Sequence, residues 1–234
     1  MATPAVEDYV KAIYLLQRES PTGEATVARI AATLGVTKGT VTAMIRKLRE
    51  ARLADAIRYG GISLTASGNK LAIDVIRRHR LIEVFLVETL GFDWAEVHDE
   101  AERLEHAMSS KVLDRLNEFL GNPAIDPHGD PIPDANGKIA EPDATPLANL
   151  EQGQCATIAR ITDQDPQFLA FAADHGLKPG SNVTVTARTA AADAITIKPA
   201  RHDPVSLSLQ TAASIHVHPA KTPPPRRKTP RNKT

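Results

Sequence analysis

Cysteine is nearly absent. Cys155 is the only one in 234 residues, which excludes an intramolecular disulfide and any zinc or iron–sulfur site built from several thiolates. Long hydrophobic runs are missing too. No apolar stretch approaches the ~18–20 residues a bilayer span needs, and the N-terminus carries no secretory h-region. The expectation is a soluble, cytoplasmic protein with no membrane partner. There is no internal repeat and no net charge, since 28 Lys+Arg balance 28 Asp+Glu. At ~100–200 residues per domain, this length allows one or two ordinary domains or three small ones.

The neutral total hides a segregation. Residues 1–80 hold 13 basic and 7 acidic side chains, residues 81–145 hold 4 and 15, and residues 146–234 hold 11 and 6. A basic block followed by an acidic one points to a polyanionic partner for the first and cations for the second.

Helical spacing of Val6, Val10, Ile13 and Leu16 predicts a helix over 5–19, which Pro21-Thr22-Gly23 ends. A short helix follows at 26–34, then a turn at Gly35-Val36-Thr37. Thr37 or Thr40 caps a helix with Val41, Ile45 and Leu48 on one face. Leu53 to Leu64, with Tyr59-Gly60-Gly61 at its centre, reads as a hairpin. Long helices are predicted over 65–90 and 94–120. Six prolines and three glycines within 121–148 mark a linker. Beyond it, 153–161, 181–188, 194–199 and 205–209 alternate like strands, with a turn at 176–180 and a short helix near 166–175. The Pro- and Lys/Arg-rich end, 219–234, is expected to be disordered.

Helix, glycine-bearing turn, helix and two-stranded ribbon is the pattern of a winged helix-turn-helix. Its second helix opens with Thr37, Lys38, Gly39, Thr40 and Thr42, small enough to approach base edges in a major groove. Arg46, Lys47, Arg49 and Arg52 reach toward phosphates, and Arg58 lies near the ribbon tip. Solvated surface charge is the bland alternative for each of these alone.

The acidic block carries the other signal. His98, Glu102, Glu105 and His106 fall at i, i+4, i+7 and i+8, so a helix presents all four on one side. His79 and Glu83 form an i, i+4 pair on the preceding helix. Imidazole with carboxylate is a transition-metal ligand set. His128, His175, His202, His216 and His218 have no such company.

VEDYVKAIY, VTKGTVTAMIRKL, LTASG, RRHRLIEVFL, VHDEAERLEHAMS and DPHGDPIP together resemble the diphtheria toxin repressor family of metalloregulators, including its manganese-sensing branch. LANLEQGQCATIARI with GLKPGSNVTV resembles the SH3-like domain that ends the longer members. The implied fold is mainly α with a β-rich C-terminal domain. It comprises a winged helix-turn-helix at 1–71, a helical dimerisation and metal-binding domain with its Pro-rich linker at 72–140, an SH3-like small barrel at 148–218, and the basic tail at 219–234. The resemblance implies a regulatory metal site of Asp8, Glu102, Glu105 and His106. It implies an ancillary site of His79, Glu83 and His98, sometimes completed from the third domain, where Gln164, Asp165 and Gln167 lie. It also implies a homodimer through residues 72–120, and metal-dependent repression of metal-uptake genes at a palindromic double-stranded operator.

Iron-sensing members commonly carry sulfur ligands at the positions of Asp8 and Glu102. Oxygen donors there favour Mn²⁺ over Fe²⁺. Lys11 stands where some short manganese sensors carry a Glu ligand, which argues for two separated sites rather than a two-manganese cluster. Three alternatives stay open: an iron(II)-dependent repressor, a winged-helix regulator that binds no metal, and a metalloenzyme. The lack of a second inward-facing Glu-x-x-His motif counts against the enzyme.

Overall fold

The computed structural model describes residues 2–56, 61–140 and 143–220. The chain divides into two compact units, Met1–Pro127 with Pro131–Glu141, and His128–Asp130 with Pro142–Thr234.

The first unit begins with α1 (Pro4–Glu19), whose Val10 and Ile13 are fully buried. Pro4 in the first turn loses no hydrogen bond there. After β1 (Ala25–Thr26), Thr26 caps α2 (Val27–Thr33) by accepting from the Arg29 amide at 3.2 Å. Gly35, at φ +63, makes the turn that a side chain would strain. Thr37 then caps α3 (Lys38–Glu50), accepting from the Thr40 amide at 3.2 Å. Val41, Ile45 and Leu48 are buried as one stripe. β2 (Ala54–Ala56) and β3 (Gly61–Leu64) complete an antiparallel sheet in the order β1-β3-β2. Residues 57–60, and with them Arg58 and most of the hairpin turn, lie outside the described residues. Gln17 ties α1 to this sheet, its Oε1 accepting from the Leu64 amide at 3.2 Å.

Thr65 caps the long α4 (Ala66–Glu88). Gly68 is required at its start, because a Cβ there would collide with the Leu53 carbonyl oxygen. α4 is buried on several sides because it serves three partners. Ala72 and Ile76 join the winged-helix core, Leu81 and Val84 pack with Leu113 and Ile132, and Ile82 and Leu86 pack with Val97 and Ala101.

The single helix expected over 94–120 is two: α5 (Val97–Glu105) and α6 (Ser110–Phe119). Ser109 starts the second by accepting from the Val112 amide at 3.4 Å. The break lets Val97 and Ala101 reach one side of α4 while Leu113 reaches another. Residues 131–140 are held in place rather than loose. Arg77 donates to the Pro133 carbonyl at 3.0 Å, and the Asp134 carboxylate accepts from the Asn136 and Lys138 amides at 2.8 Å.

The second unit contains β4 (Thr145–Pro146), β5 (Cys155–Ile161), α7 (Pro166–Asp174), β6 (Asn182–Thr189), β7 (Ala194–Pro199), β8 (Val205–Ser208), α8 (Leu209–Ala213) and β9 (Ile215–Pro219). Its six strands form an antiparallel sheet in the order β4-β9-β5-β6-β7-β8. This corrects the SH3-like small barrel. The order is linear, β4 and β8 are separate edges, and the sheet does not close. The two-residue β4 is too short to extend a ladder, and α8 packs against β7, β8, β9 and the 3-10 turn Leu147–Asn149 instead. Strand alternation buries Ile158, Val183, Val185, Ile195, Ile197, Val205, Leu207, Ile215 and Val217 on the core side. No helix among the described residues is long and apolar enough to cross a membrane.

Candidate metal centre

The first unit brings the chemistry-bearing residues of α1, α4 and α5 together. His79 and Glu83 lie one turn apart on α4, and α5 packs along that helix with His98 near its start. His79 Nε2 is 2.9 Å from Glu83 Oε1 and 3.1 Å from His98 Nδ1, and His98 Nδ1 is 3.3 Å from Glu83 Oε1. Ligand atoms about 2.1 Å from a common ion stand roughly 3 Å apart, so this trio fits one divalent cation. Glu83 is wholly buried and His79 nearly so.

A second trio is Asp8, Glu105 and His106, each offering one donor atom within 4.8 Å of the others. His106 Nε2 is 2.9 Å from Asp8 Oδ1 and 3.7 Å from Glu105 Oε1. Asp8 comes from α1, so this site joins the winged helix to the end of α5. Asp8, Glu102 and His106 also line an open depression of about 360 Å³ with Pro4, Asp99 and Arg103. Glu102 is half-exposed and turned toward Lys11 Nζ at 3.4 Å and His98 Nε2 at 3.6 Å, so it stands beside the trio rather than within it.

Two residues missed in the sequence organise the second trio. Glu7 Oε2 lies 2.7 Å from His106 Nδ1, placed to accept a proton from that nitrogen and so to turn Nε2 toward the site. Arg78 grips Glu7 at 3.0 and 3.2 Å and donates to the Glu105 carbonyl at 2.8 Å. Nothing local in the sequence distinguishes Glu7 or Arg78 from ordinary surface charges on their helices.

Lys11 sits between the trios. Its Nζ is 2.9 and 3.1 Å from the two oxygens of Glu105 and 3.1 Å from His79 Nδ1. His79 Nδ1 is also 2.6 Å from Glu105 Oε2, so Glu105 and His79 each belong to both sides.

Burial pushes the Asp8 carboxyl above its ordinary value; His106 opposes this, while the carboxylates of Glu105 and Glu102 add to it. Burial would raise Glu105 as well, but the hydrogen bond from His79 and the charges of Lys11 and His79 outweigh it and hold Glu105 low. Burial would lower His79; the Glu83 carboxylate, together with hydrogen bonds to Glu105 and Glu83, overcomes both burial and Lys11 and leaves it raised. Glu105 is thus held toward its charged form, while Asp8 and His79 are both shifted toward holding a proton.

Thr37, Lys38, Gly39, Thr40, Thr42, Arg46 and Lys47 are all exposed at or along α3. The Thr42 hydroxyl is committed to the Lys38 carbonyl at 2.9 Å. Gln164, Asp165 and Gln167 belong to the other unit, where Asp165 caps α7 by accepting from the Gln167 and Phe168 amides at 3.0 Å. His175 and His218 are engaged with the carbonyls of Phe171 and Asp143 at 2.8 and 2.6 Å.

A helix-turn-helix with an exposed basic recognition helix, joined to its neighbouring helices through a trio of side chains that could hold a metal ion, defines a metal-responsive DNA-binding protein. Residues 1–62 match the family described as iron dependent repressor, N-terminal DNA binding domain. Residues 65–134 match its metal binding and dimerisation domain, and 145–219 match the FeoA domain. The chain is 34% identical to the iron-dependent repressor IdeR of Mycobacterium leprae over 223 residues, 90% of this chain and 95% of that protein. It is 37% identical over 120 residues to the regulator MntR of Shouchella clausii, 51% of this chain and 82% of that one. Among solved structures, a manganese-dependent transcriptional repressor in complex with manganese superposes with a TM-score of 0.85 at 40% identity, covering 92% of this chain and all (100%) of that one. The chain belongs to the diphtheria toxin repressor family of metal-dependent transcriptional regulators. It is a homodimeric, metal-dependent DNA-binding regulator rather than an enzyme.

Proposed function

We propose that Mn²⁺ is the effector, that Asp8, Glu105 and His106 with Glu102 form the regulatory site, and that His79, Glu83 and His98 form a second site. The observation that carries this reading is the reach of Asp8 from α1 to His106 at the end of α5. A bound divalent ion would supply positive charge that holds these carboxylates and imidazoles on a common centre. Asp8 then fixes α1 against α5. Because α1 packs on α2, α3 and β3, the recognition helix is oriented with it. Metal and DNA favour the same state, so each raises affinity for the other. The oxygen-rich donor set supports Mn²⁺.

In this reading the exposed start of α3 meets base edges, and Arg46 and Lys47 meet phosphates of a palindromic operator. Arg58 would join them from the ribbon. Exposed Leu104, Val112 and Phe119 on the helical unit supply apolar surface for the dimer interface expected within 72–120. The regulated genes are those of metal uptake, repressed when metal is bound. The domain division at 1–71, 72–140 and 148–218 belongs to the same proposal.

The test is binding to the protein's own promoter fragment after chelation, with Mn²⁺ or Fe²⁺ restored. Binding is expected to require the ion, with Mn²⁺ effective at lower concentration. D8A and E102A are expected to abolish the metal response while retaining the folding transition. Metal-dependent binding that persists in both variants rejects the site. A response confined to Fe²⁺ makes the protein an iron sensor.

A further inference from the structure

The two trios leave one buried cation unaccounted for. Lys11 is only 8% exposed, and its ammonium is surrounded by atoms of the kind that hold a metal: both oxygens of Glu105, Nδ1 of His79, and Oε1 of Glu102. An ion pair for stability alone needs one carboxylate. Burying such a pair is itself costly, and the imidazole nitrogen at 3.1 Å is a donor atom that a metal site would also use. Every group Lys11 touches is also assigned to a metal site. Glu105 is shared with Asp8 and His106, and His79 with Glu83 and His98.

Resting on that ligand assignment, we propose that Lys11 is a resident cation, tethered between the two trios, that sets how much divalent metal the protein needs. The argument is electrostatic. A fixed positive charge in contact with Glu105 and His79 repels a divalent ion seated at either flank, and at low effective dielectric this repulsion is strong. The same ammonium draws electron density from the shared donors. Both effects weaken the two sites together. Lys11 also fills the space between them, so the flanking ions remain two separate centres with no third ion joining them. The sensor thereby ignores trace metal and responds only when metal is plentiful.

The direction of the effect separates this role from a merely structural one. Removing a structural ion-pair partner from a metal site loosens the ligands and weakens binding. Removing a resident cation strengthens it. Mn²⁺ affinity and stoichiometry, measured by calorimetry on the full chain, are compared for wild type, K11M, K11Q and K11R. The expected result is that K11M and K11Q bind Mn²⁺ at least about tenfold more tightly, and that their DNA binding switches on at correspondingly lower Mn²⁺. K11R, which keeps the charge, should stay near wild type. Two neutral variants guard against one that fails to fold. Unchanged or weaker Mn²⁺ binding in the folded neutral variants overturns the role of Lys11. D8A and H98A are measured beside them. If these lose binding while the Lys11 variants behave as wild type, only the resident-cation proposal falls. If they too bind Mn²⁺ normally, the ligand assignment falls and takes this proposal with it.

Discussion

Between α1, α4 and α5 the interior holds Glu7, Lys11, Arg78, His79, Glu83 and Glu105, whereas the sheet of the second unit encloses Ile158, Val183, Val185, Ile195, Ile197 and Val217. The sheet's core is held by burial of hydrocarbon, which is non-directional and tolerates local change. The junction of α1, α4 and α5 buries, beside its apolar clusters, ions that have given up water, and each is tolerable only while its partners remain. Such an interior is a poor way to gain stability. It is, however, an interior that a metal ion can enter and rearrange. One unit is built so that its parts depend on one another, and the other so that they do not.

The difference is sharpest where a buried ion loses its partner. R78M leaves Glu7 buried without its guanidinium and frees the Glu105 carbonyl. It is expected to cost about 3–5 kcal/mol in urea unfolding. Shaving a methyl from the sheet with I197V should cost only about 0.5–1.5 kcal/mol. Equal costs for the two would remove the contrast.

A gentler change probes the same network through function. E7Q keeps an acceptor for His106 but removes the charge that orients it. Mn²⁺ affinity in calorimetry should fall by roughly 10–100-fold, with the chain still folded. Undiminished affinity would mean that His106 is positioned without Glu7.

The smallest effect belongs to the sheet unit. Burial, and then the charge of Arg160, push His216 below its ordinary value of 6.5, with Asp130 opposing. The unfolded chain therefore takes up this proton more readily than the folded one. The contribution of His216 to stability is complete above pH 6.5 and is lost as pH falls below it. H216Q should flatten that part of the profile, read as the wild-type minus variant difference in melting temperature across this range. An identical slope in both would exclude His216 as its source.

Much of this was legible because helices and strands have short periods. The stripe Val41, Ile45, Leu48 with a cap at Thr37 or Thr40 locates α3, the long helical pattern from residue 65 locates α4, and i, i+4 spacing groups His79 with Glu83 and His98 with Glu102. What escaped depends on contacts between elements distant in sequence. Glu7 and Arg78 are 71 residues apart, and their pairing leaves no local trace. The break between α5 and α6 escaped because apolar spacing continues through Met108, and the Ser109 cap is a weak signal beside it. Alternation identified β5, β6, β7 and β8, but not the two-residue β4, which lies in the stretch read as a linker. It carries no information on whether the outer strands meet, so closure into a barrel was expected and an open sheet found. The short β9 and α8 offered too few residues for a period to emerge.

His106 is the residue on which α5 terminates. Helix ends fray while their middles stay wound. An ion seated on that last residue can be let go by the opening of a single turn, a local event far cheaper than unfolding the core. The contacts of Glu7 with His106 and of Arg78 with the Glu105 carbonyl are what would hold that end closed over an ion.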